Sequence, residues 1–185
     1  MEIISKNIVW EGKFLRSLII SYRDKSGRVR NWEAVERINC KGIVAVVPVT
    51  ANNEFLFIRQ FRPVVNNFVV EFPAGLNDKN EKLIDAARRE LIEETGYTSD
   101  NFIFLCEGPI SSGMSTEILS VFLAKDIFPA SDDLKKQHPS DESEDIEIIK
   151  IPASEIYRIL KELKDKGNFI DIKVYGLIEM AKGYL

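Results

Sequence analysis

Three glutamates near the middle of the chain have the type and spacing of a metal site. Glu90 lies three residues before Glu93 and four before Glu94, so their carboxylates would share one face of a helix. Like charges at this spacing repel one another, and a bound divalent cation would offset that repulsion. Oxygen donors without nearby histidine or cysteine favour a hard ion, Mg²⁺ or Mn²⁺. Without further context, the same pattern also suits a solvated acidic face.

The residues around these glutamates predict a loop, a helix and a second loop. Pro73, Ala74 and Gly75 form a turn sequence that ends an apolar run. Residues 81–95 contain no glycine or proline, and Gly96 supplies a C-terminal stop. Apolar residues recur at helical spacing in this segment: Leu83, Ile84, Ala87 and Leu91. The acidic residues should therefore lie in the last turns of one amphipathic helix, where Arg89 could hold a carboxylate by a bidentate bond.

The whole segment resembles the Nudix box, G-x5-E-x7-R-E-U-x-E-E-x-G-U, where U is aliphatic. Its charged and glycine positions are all matched, by Gly75, Glu81, Arg89, Glu90, Glu93, Glu94 and Gly96. Tyr97 replaces the last aliphatic residue, a change that affects packing more than chemistry. The resemblance implies a hydrolase that uses Mg²⁺ to cleave a nucleoside diphosphate linked to another group.

Composition favours a globular protein of 185 residues whose partners are small molecules. The apolar fraction of 45% and charged fraction of 29% argue against disorder, and the net charge of −4 argues against nucleic acid as a partner. Cys40 and Cys106 are expected to be reduced thiols, and the one histidine, His138, cannot build a histidine-based zinc site. We expect a cytoplasmic protein without a membrane partner, because neither a signal peptide nor a long apolar run is evident.

Apolar patterning predicts strands on both sides of the central helix and further helices near the end of the chain. The predicted strands cover residues 14–23, 28–38, 42–50, 54–61, 68–72, 102–107, 118–125 and 146–151, with a short one near the start. Residues 131–144 read as a polar loop, a helix begins at Pro152 and ends at Gly167, and another lies within 172–184. This order predicts an α+β fold, an α/β/α sandwich with a mixed sheet between helices, which the Nudix resemblance also implies.

Segments outside the box resemble the ADP-ribose and ADP-sugar pyrophosphatase branch of the family. They are RQFRP at 59–63, EFPAG at 71–75, EGKF at 11–14, NWEAVER at 31–37 and ESEDIE at 142–147. In that branch, strands of an N-terminal appendage swap across a homodimer and help to bind adenine. The resemblance thus divides this chain into an N-terminal antiparallel strand appendage, residues 1–40, and a Nudix hydrolase domain, residues 41–185.

The branch resemblance also implies roles in substrate binding. Phe14 and Trp32 match aromatic positions that stack on the base, and Glu33 matches a base-contacting position. Arg37 and Arg62 match arginines near the substrate phosphates and ribose. Stacked rings and guanidinium forks suit a purine and a diphosphate. From the residues alone, the two rings would be strand core and the arginines surface charges.

The resemblance further implies the catalytic machinery. Metal ligands would be the carbonyl of Ala74 and the carboxylates of Glu90, Glu93, Glu94 and Glu144, for two or three Mg²⁺ ions per site, with Mn²⁺ as an alternative. Catalytic roles fall to Glu142 as general base, Glu144 as its helper, Arg89 and Glu93. Because residues 142–145 are so acidic, their default reading is a solvated loop, and the choice of base among Glu142, Glu144 and Asp145 stays open.

The resemblance identifies the type of reaction more closely than it identifies the substrate. Gly113 and Glu117 match substrate-binding positions of the branch, but Ser112 stands where ADP-ribose hydrolases typically carry proline. Hydrolysis of ADP-ribose or a related ADP-sugar to AMP and a sugar phosphate is favoured, and another nucleoside diphosphate sugar such as GDP-mannose stays open. A non-catalytic nucleotide sensor is the alternative class; the retained box glutamates favour the enzyme.

Overall fold

The computed structural model describes residues 1–140 and 145–185, and the first 37 residues build a sheet of their own. Strands β1 (Glu2–Glu11), β2 (Leu15–Arg23) and β3 (Val29–Arg37) pair antiparallel in the order β1-β2-β3. The strand predicted near the start is thus ten residues long rather than short. The turn between β2 and β3 is held by Asp24, whose carboxylate accepts hydrogen bonds from the backbone N–H groups of Ser26 and Arg28.

Two four-stranded sheets form the centre of the remaining fold. The first has the order β7-β4-β10-β9 and the second β12-β5-β6-β13, with the parallel pairs β4–β10 and β6–β13 making both mixed. A small pair, β8 with β11, completes the strands. The bounds are β4 Ile43–Pro48, β5 Glu54–Arg62, β6 Asn67–Glu71, β7 Ala74–Leu76, β8 Tyr97–Thr98, β9 Asn101–Pro109, β10 Ile118–Lys125, β11 Phe128–Pro129, β12 Glu147–Pro152 and β13 Phe169–Ile170.

Helices cover both faces of these sheets, as the sequence predicts. The helices are α1 Leu83–Thr95, α2 Asp132–Gln137, α3 Ile156–Asp165 and α4 Lys173–Lys182. Side chains alternate along β4, so that Val44 and Val46 pack with α1 while Ala45 and Val47 pack in the core shared with α3 and α4. The expected α+β sandwich is therefore confirmed, and one face of the first sheet packs against α1.

Two predictions about local structure are wrong. The predicted loop at 131–144 contains α2, whose N-cap Ser131 accepts a hydrogen bond from the N–H of Leu134, with acids in its first turn and lysines in its last. Pro152 does not begin a helix, because it is still paired with Glu54 as the last residue of β12, and α3 starts at Ile156. Along the described ranges, no helix is both long and apolar enough to cross a membrane.

Candidate active site

Helix α1 buries one side and presents its acids on another. Ala86, Ala87 and Leu91 are buried in the core against the first sheet. The helix ends at Gly96, which has the left-handed φ of 70° and donates its N–H to the carbonyl of Ile92 at 2.8 Å. The apolar side thus fixes the rotation of the helix, and this rotation decides where its carboxylates lie.

Arg89 ties these carboxylates together from a nearly buried position. Its guanidinium donates to Glu81 from Nε and Nη2 at 2.9 and 2.8 Å, and from Nη1 to Glu90 at 2.7 Å and Glu93 at 2.8 Å. A further bond joins Nη2 to the carbonyl of Leu76 at 2.9 Å. Burial lowers the pKa of Arg89, but its bonds with Glu81 and the charges of Glu90 and Glu93 outweigh that effect and raise the pKa above its ordinary value. The expected Arg89–Glu93 pairing is present, within a larger network than the sequence predicts.

Glu90 occupies the space that a side chain at position 75 would need. A Cβ built on Gly75 would lie 2.0 to 2.2 Å from the carboxylate atoms of Glu90, so any larger residue would displace this carboxylate. Burial raises the pKa of the Glu90 carboxyl above its ordinary value, and the charge of Arg89 opposes the rise. A positive charge at this position would therefore favour the ionised carboxylate.

Replacing Gly75 by alanine should displace Glu90 and disrupt the site. We expect Gly75→Ala to lower both the melting temperature and the activity, because a contact near 2 Å forces the Glu90 carboxylate away from its hydrogen bond with Arg89. The matched control is Gly176→Ala in α4, where a Cβ meets nothing within 4 Å. Higher helix propensity should leave that variant unchanged or stabilised by up to about 1 kcal/mol. Equal melting temperatures of Gly75→Ala and Gly176→Ala would contradict this role of Gly75.

Glu94 connects the other end of the acidic face to the turn before the helix. Its carboxylate accepts a hydrogen bond from the backbone N–H of Ala74 at 3.0 Å. Glu90, Glu93 and Glu94 line a cleft of about 380 Å³, together with Lys79, Gln137, Pro139 and Ser140. The acidic face therefore opens onto a cleft instead of apolar neighbours.

The donor chemistry of this cleft suits a hard divalent cation. Carboxylate oxygens and the backbone beside Ala74 are the donors that the described residues offer, and no histidine or cysteine is among the described residues that line this cleft. In residues 1–140 and 145–185, no three acidic, histidine or cysteine side chains are arranged as a ready metal cluster. Instead, Glu90 and Glu93 accept hydrogen bonds from Arg89, and Glu94 accepts one from the Ala74 N–H.

The residues predicted to bind substrate fall into separate groups, one of which joins the N-terminal sheet to the rest of the chain. The indole Nε1 of Trp32 donates to the carbonyl of Gly113 at 2.9 Å, and Nε of Arg37 donates to Glu117 at 2.5 Å. Backbone bonds flank these contacts, with the Val35 N–H donating to Met114 at 2.8 Å. Four residues predicted to bind substrate thus meet at one junction: Trp32, Arg37, Gly113 and Glu117. Arg37 and Glu117 are 80 residues apart in the sequence.

The other predicted residues lie elsewhere. Phe14 is 66% exposed, and Arg62 donates to Glu71 at 2.7 Å on the second sheet. Glu33 lines a largely apolar cleft of about 350 Å³ beside Val35 and Met114. The predicted general base Glu142 and its helper Glu144 lie outside the described residues.

The sequence did not indicate every residue of the cleft lined by Glu90, Glu93 and Glu94. Lys79, whose ammonium lies 3.3 Å from Glu93, sits in a loop without periodicity, so no pattern indicates it. Gln137, Pro139 and Ser140 come from α2 and the residues after it. Ser131 followed by acidic residues and then lysines is a helix-start signal that could have located α2.

Comparison with known proteins agrees with this geometry. The family model for the NUDIX domain matches residues 41–171. The chain is 32% identical to the ADP-sugar pyrophosphatase of Mus musculus over 94% of this chain and 84% of that protein. It is 29% identical to the ADP-ribose pyrophosphatase of Bacillus subtilis over 85% and 82%. Its fold matches the crystal structure of an ADP compounds hydrolase with a TM-score of 0.78 and 20% identity, covering 99% of this chain and 92% of the other.

The family match covers well over half of the chain and includes every residue of the α1 network. The arginine that holds three carboxylates, the glycine that makes room for one of them and the cleft beside them all lie within the matched region. The chain belongs to the Nudix hydrolase family.

Proposed function

We propose that this protein hydrolyses the diphosphate bond of ADP-ribose or a related ADP-sugar in the presence of Mg²⁺, and releases AMP and a sugar phosphate. The observation that carries the proposal is the Arg89 network, which gathers Glu81, Glu90 and Glu93 beside an open cleft. The activities named for the mouse and Bacillus relatives support the substrate class.

The residues that would hold two or three Mg²⁺ ions, or Mn²⁺, are the Ala74 carbonyl, Glu90, Glu93, Glu94 and Glu144. When bound, such ions neutralise charge on the diphosphate and lower the pKa of water. Arg89 keeps Glu90 and Glu93 in place through its hydrogen bonds. Glu142 is proposed to accept the proton of the attacking water, and Glu144 to assist it.

The N-terminal sheet is proposed to bind the base. Trp32, half exposed, and Phe14 present ring surface on which a purine can stack, and Glu33 offers a carboxylate beside an apolar cleft. Arg37, Arg62, Gly113 and Glu117 are proposed to contact the phosphates, the ribose or the second sugar. In this proposal residues 1–40 serve dimerisation and base binding, residues 41–185 perform hydrolysis, and the protein acts in the cytoplasm on a small nucleotide sugar.

A substrate panel tests the proposed function. Purified protein with Mg²⁺ is incubated with ADP-ribose, another ADP-sugar and GDP-mannose, and AMP or GMP release is followed by chromatography. We expect AMP release from the adenosine compounds to be the fastest reaction. Faster GMP release from GDP-mannose would move the specificity to guanosine sugars. No turnover of any compound with Mg²⁺ or Mn²⁺ would favour a nucleotide sensor.

The proposal includes a homodimer in which the N-terminal strands swap. Large apolar residues are exposed on this sheet, among them Ile3, Ile8, Val9, Trp10 and Phe14. Exposed apolar area on this scale is typical of an interface. We expect light scattering to give twice the chain mass of 21.1 kDa. A mass near that of one chain would contradict the dimer and, with it, the swap.

A further inference from the structure

Helix α2 and the residues after it face the acidic end of α1 across a second cleft. This cleft, of about 720 Å³, is lined by Glu93, Glu94 and Gly96 on one side and by Asp132, Lys135, Lys136 and His138 on the other. It adjoins the cleft of the α1 carboxylates, because both are lined by Glu93, Glu94, Pro139 and Ser140. Residues 132–140, the described part of the predicted polar loop, therefore form a wall of the candidate active site.

The two lysines of this wall differ in their surroundings. Lys136 lies 4.0 Å from Asp133, and both side chains are largely exposed, so their attraction is weak. Lys135 lies across the end of α1, where its Cε is 3.4 Å from a Cβ position built on Gly96. No acidic side chain of the described ranges forms an ion pair with Lys135. Among residues 1–140 and 145–185, Lys135 is thus a cation without a carboxylate partner at the edge of an acidic site.

An anionic ligand suits this arrangement. A diphosphate that enters this cleft meets the carboxylates of Glu93 and Glu94, whose charge bound Mg²⁺ would offset in the proposed site, and a chain of net charge −4, which repels it. Lys135 is better placed than Lys136 to offset that repulsion, because its ammonium forms no ion pair with any described residue that would have to break first. We propose that Lys135 contacts a phosphate oxygen of the substrate, so that α2 is a substrate-binding element of this enzyme. This inference rests on the proposed hydrolysis of a nucleoside diphosphate sugar.

A purely structural role for Lys135 makes a different prediction. An ammonium beside the last turn of α1 also interacts favourably with the carbonyls at the helix C-terminus. If that were its whole role, loss of the charge would lower the melting temperature and leave substrate affinity unchanged. Substrate contact instead predicts a change in KM, with recovery when arginine restores the charge.

The test compares Lys135→Gln and Lys135→Arg with Lys161→Gln, a control on the exposed surface of α3. With ADP-ribose and saturating Mg²⁺, we expect Lys135→Gln to raise KM five- to tenfold and to change kcat less than twofold. Lys135→Arg should return KM to within about twofold of wild type, and Lys161→Gln should match wild type. Unchanged KM in Lys135→Gln, with or without a lower melting temperature, would overturn the inference.

A binding measurement separates failure of this inference from failure of the proposed function. Calorimetric titration with ADP-ribose carrying a methylene bridge between its phosphorus atoms reports affinity without turnover. We expect weaker binding of this analogue to Lys135→Gln by the same five- to tenfold. A wild-type protein that hydrolyses no nucleotide would refute the proposed function, and the titration would still decide the role of Lys135. Equal dissociation constants for the wild type and Lys135→Gln would refute that role.

Discussion

Glu94→Gln is expected to lower kcat for Mg²⁺-dependent hydrolysis by roughly 10³-fold while the protein stays folded. The substitution removes one negative charge from the proposed cation site, and such charge stabilisation supplies several kcal/mol in the transition state, at about 1.4 kcal/mol for each factor of ten. The amide oxygen of glutamine can still accept the hydrogen bond from the Ala74 N–H that Glu94 accepts now. The melting temperature should therefore change little.

Steady-state kinetics at several Mg²⁺ concentrations, with thermal unfolding of the same samples, check this expectation. The matched control is Glu162→Gln, an exposed glutamate of α3 that pairs with Arg158. Rates for the control should stay within about twofold of wild type. Wild-type rates in Glu94→Gln at every Mg²⁺ concentration would remove Glu94 from the proposed ligands.

Arg89→Met should damage both stability and activity. Loss of the guanidinium leaves Glu81, Glu90 and Glu93 without their shared partner, and Arg89 is only 5% exposed. Removal of one partner from a buried charge network destabilises a protein by about 3 to 5 kcal/mol. For a chain of this length, we expect a melting temperature lower by on the order of 10 °C. Activity should fall because Glu90 and Glu93 lose the bonds that position them.

Urea unfolding and kinetics of Arg89→Met, Arg89→Lys and Arg158→Met distinguish this network from an ordinary surface ion pair. Arg158 also bonds two glutamates, but on the exposed side of α3, so its loss should produce no measurable destabilisation. Lysine at position 89 keeps the charge without the planar fork, and its stability should lie between wild type and methionine. Equal stability of Arg89→Met and wild type would mean that the network does not hold the carboxylates.

Much of the fold follows from the sequence because the buried elements carry clear periodicity. The predicted helix at 81–95 is found at Leu83–Thr95, and the strand at 118–125 is found at Ile118–Lys125. Helix α2 was missed because its six residues, largely exposed, carry no apolar repeat. Strand β7 was missed because three residues after a proline turn are too few to show alternation.

Some features of the candidate site can likewise be predicted from the sequence, and others cannot. The spacing of Glu90, Glu93 and Glu94 is helical, so the sequence alone places them on one face. The bond of Arg89 to Glu81 could not be derived, because the predicted helix includes Glu81 about two turns away from Arg89, whereas α1 begins at Leu83 and Glu81 lies in the loop before it. The junction of Trp32 with Gly113 joins segments 81 residues apart, and no local pattern encodes such a contact.

Electron paramagnetic resonance of Mn²⁺ tests the central claim that the acidic face of α1 binds a divalent cation. The spectrum of free Mn²⁺ is recorded as wild type, Glu162→Gln and the double variant Glu90→Gln/Glu94→Gln are titrated into it. We expect wild type and the control to deplete the free Mn²⁺ signal, Mg²⁺ to restore it by competition, and the double variant to leave it largely unchanged. Equal depletion by the double variant and wild type would contradict the account.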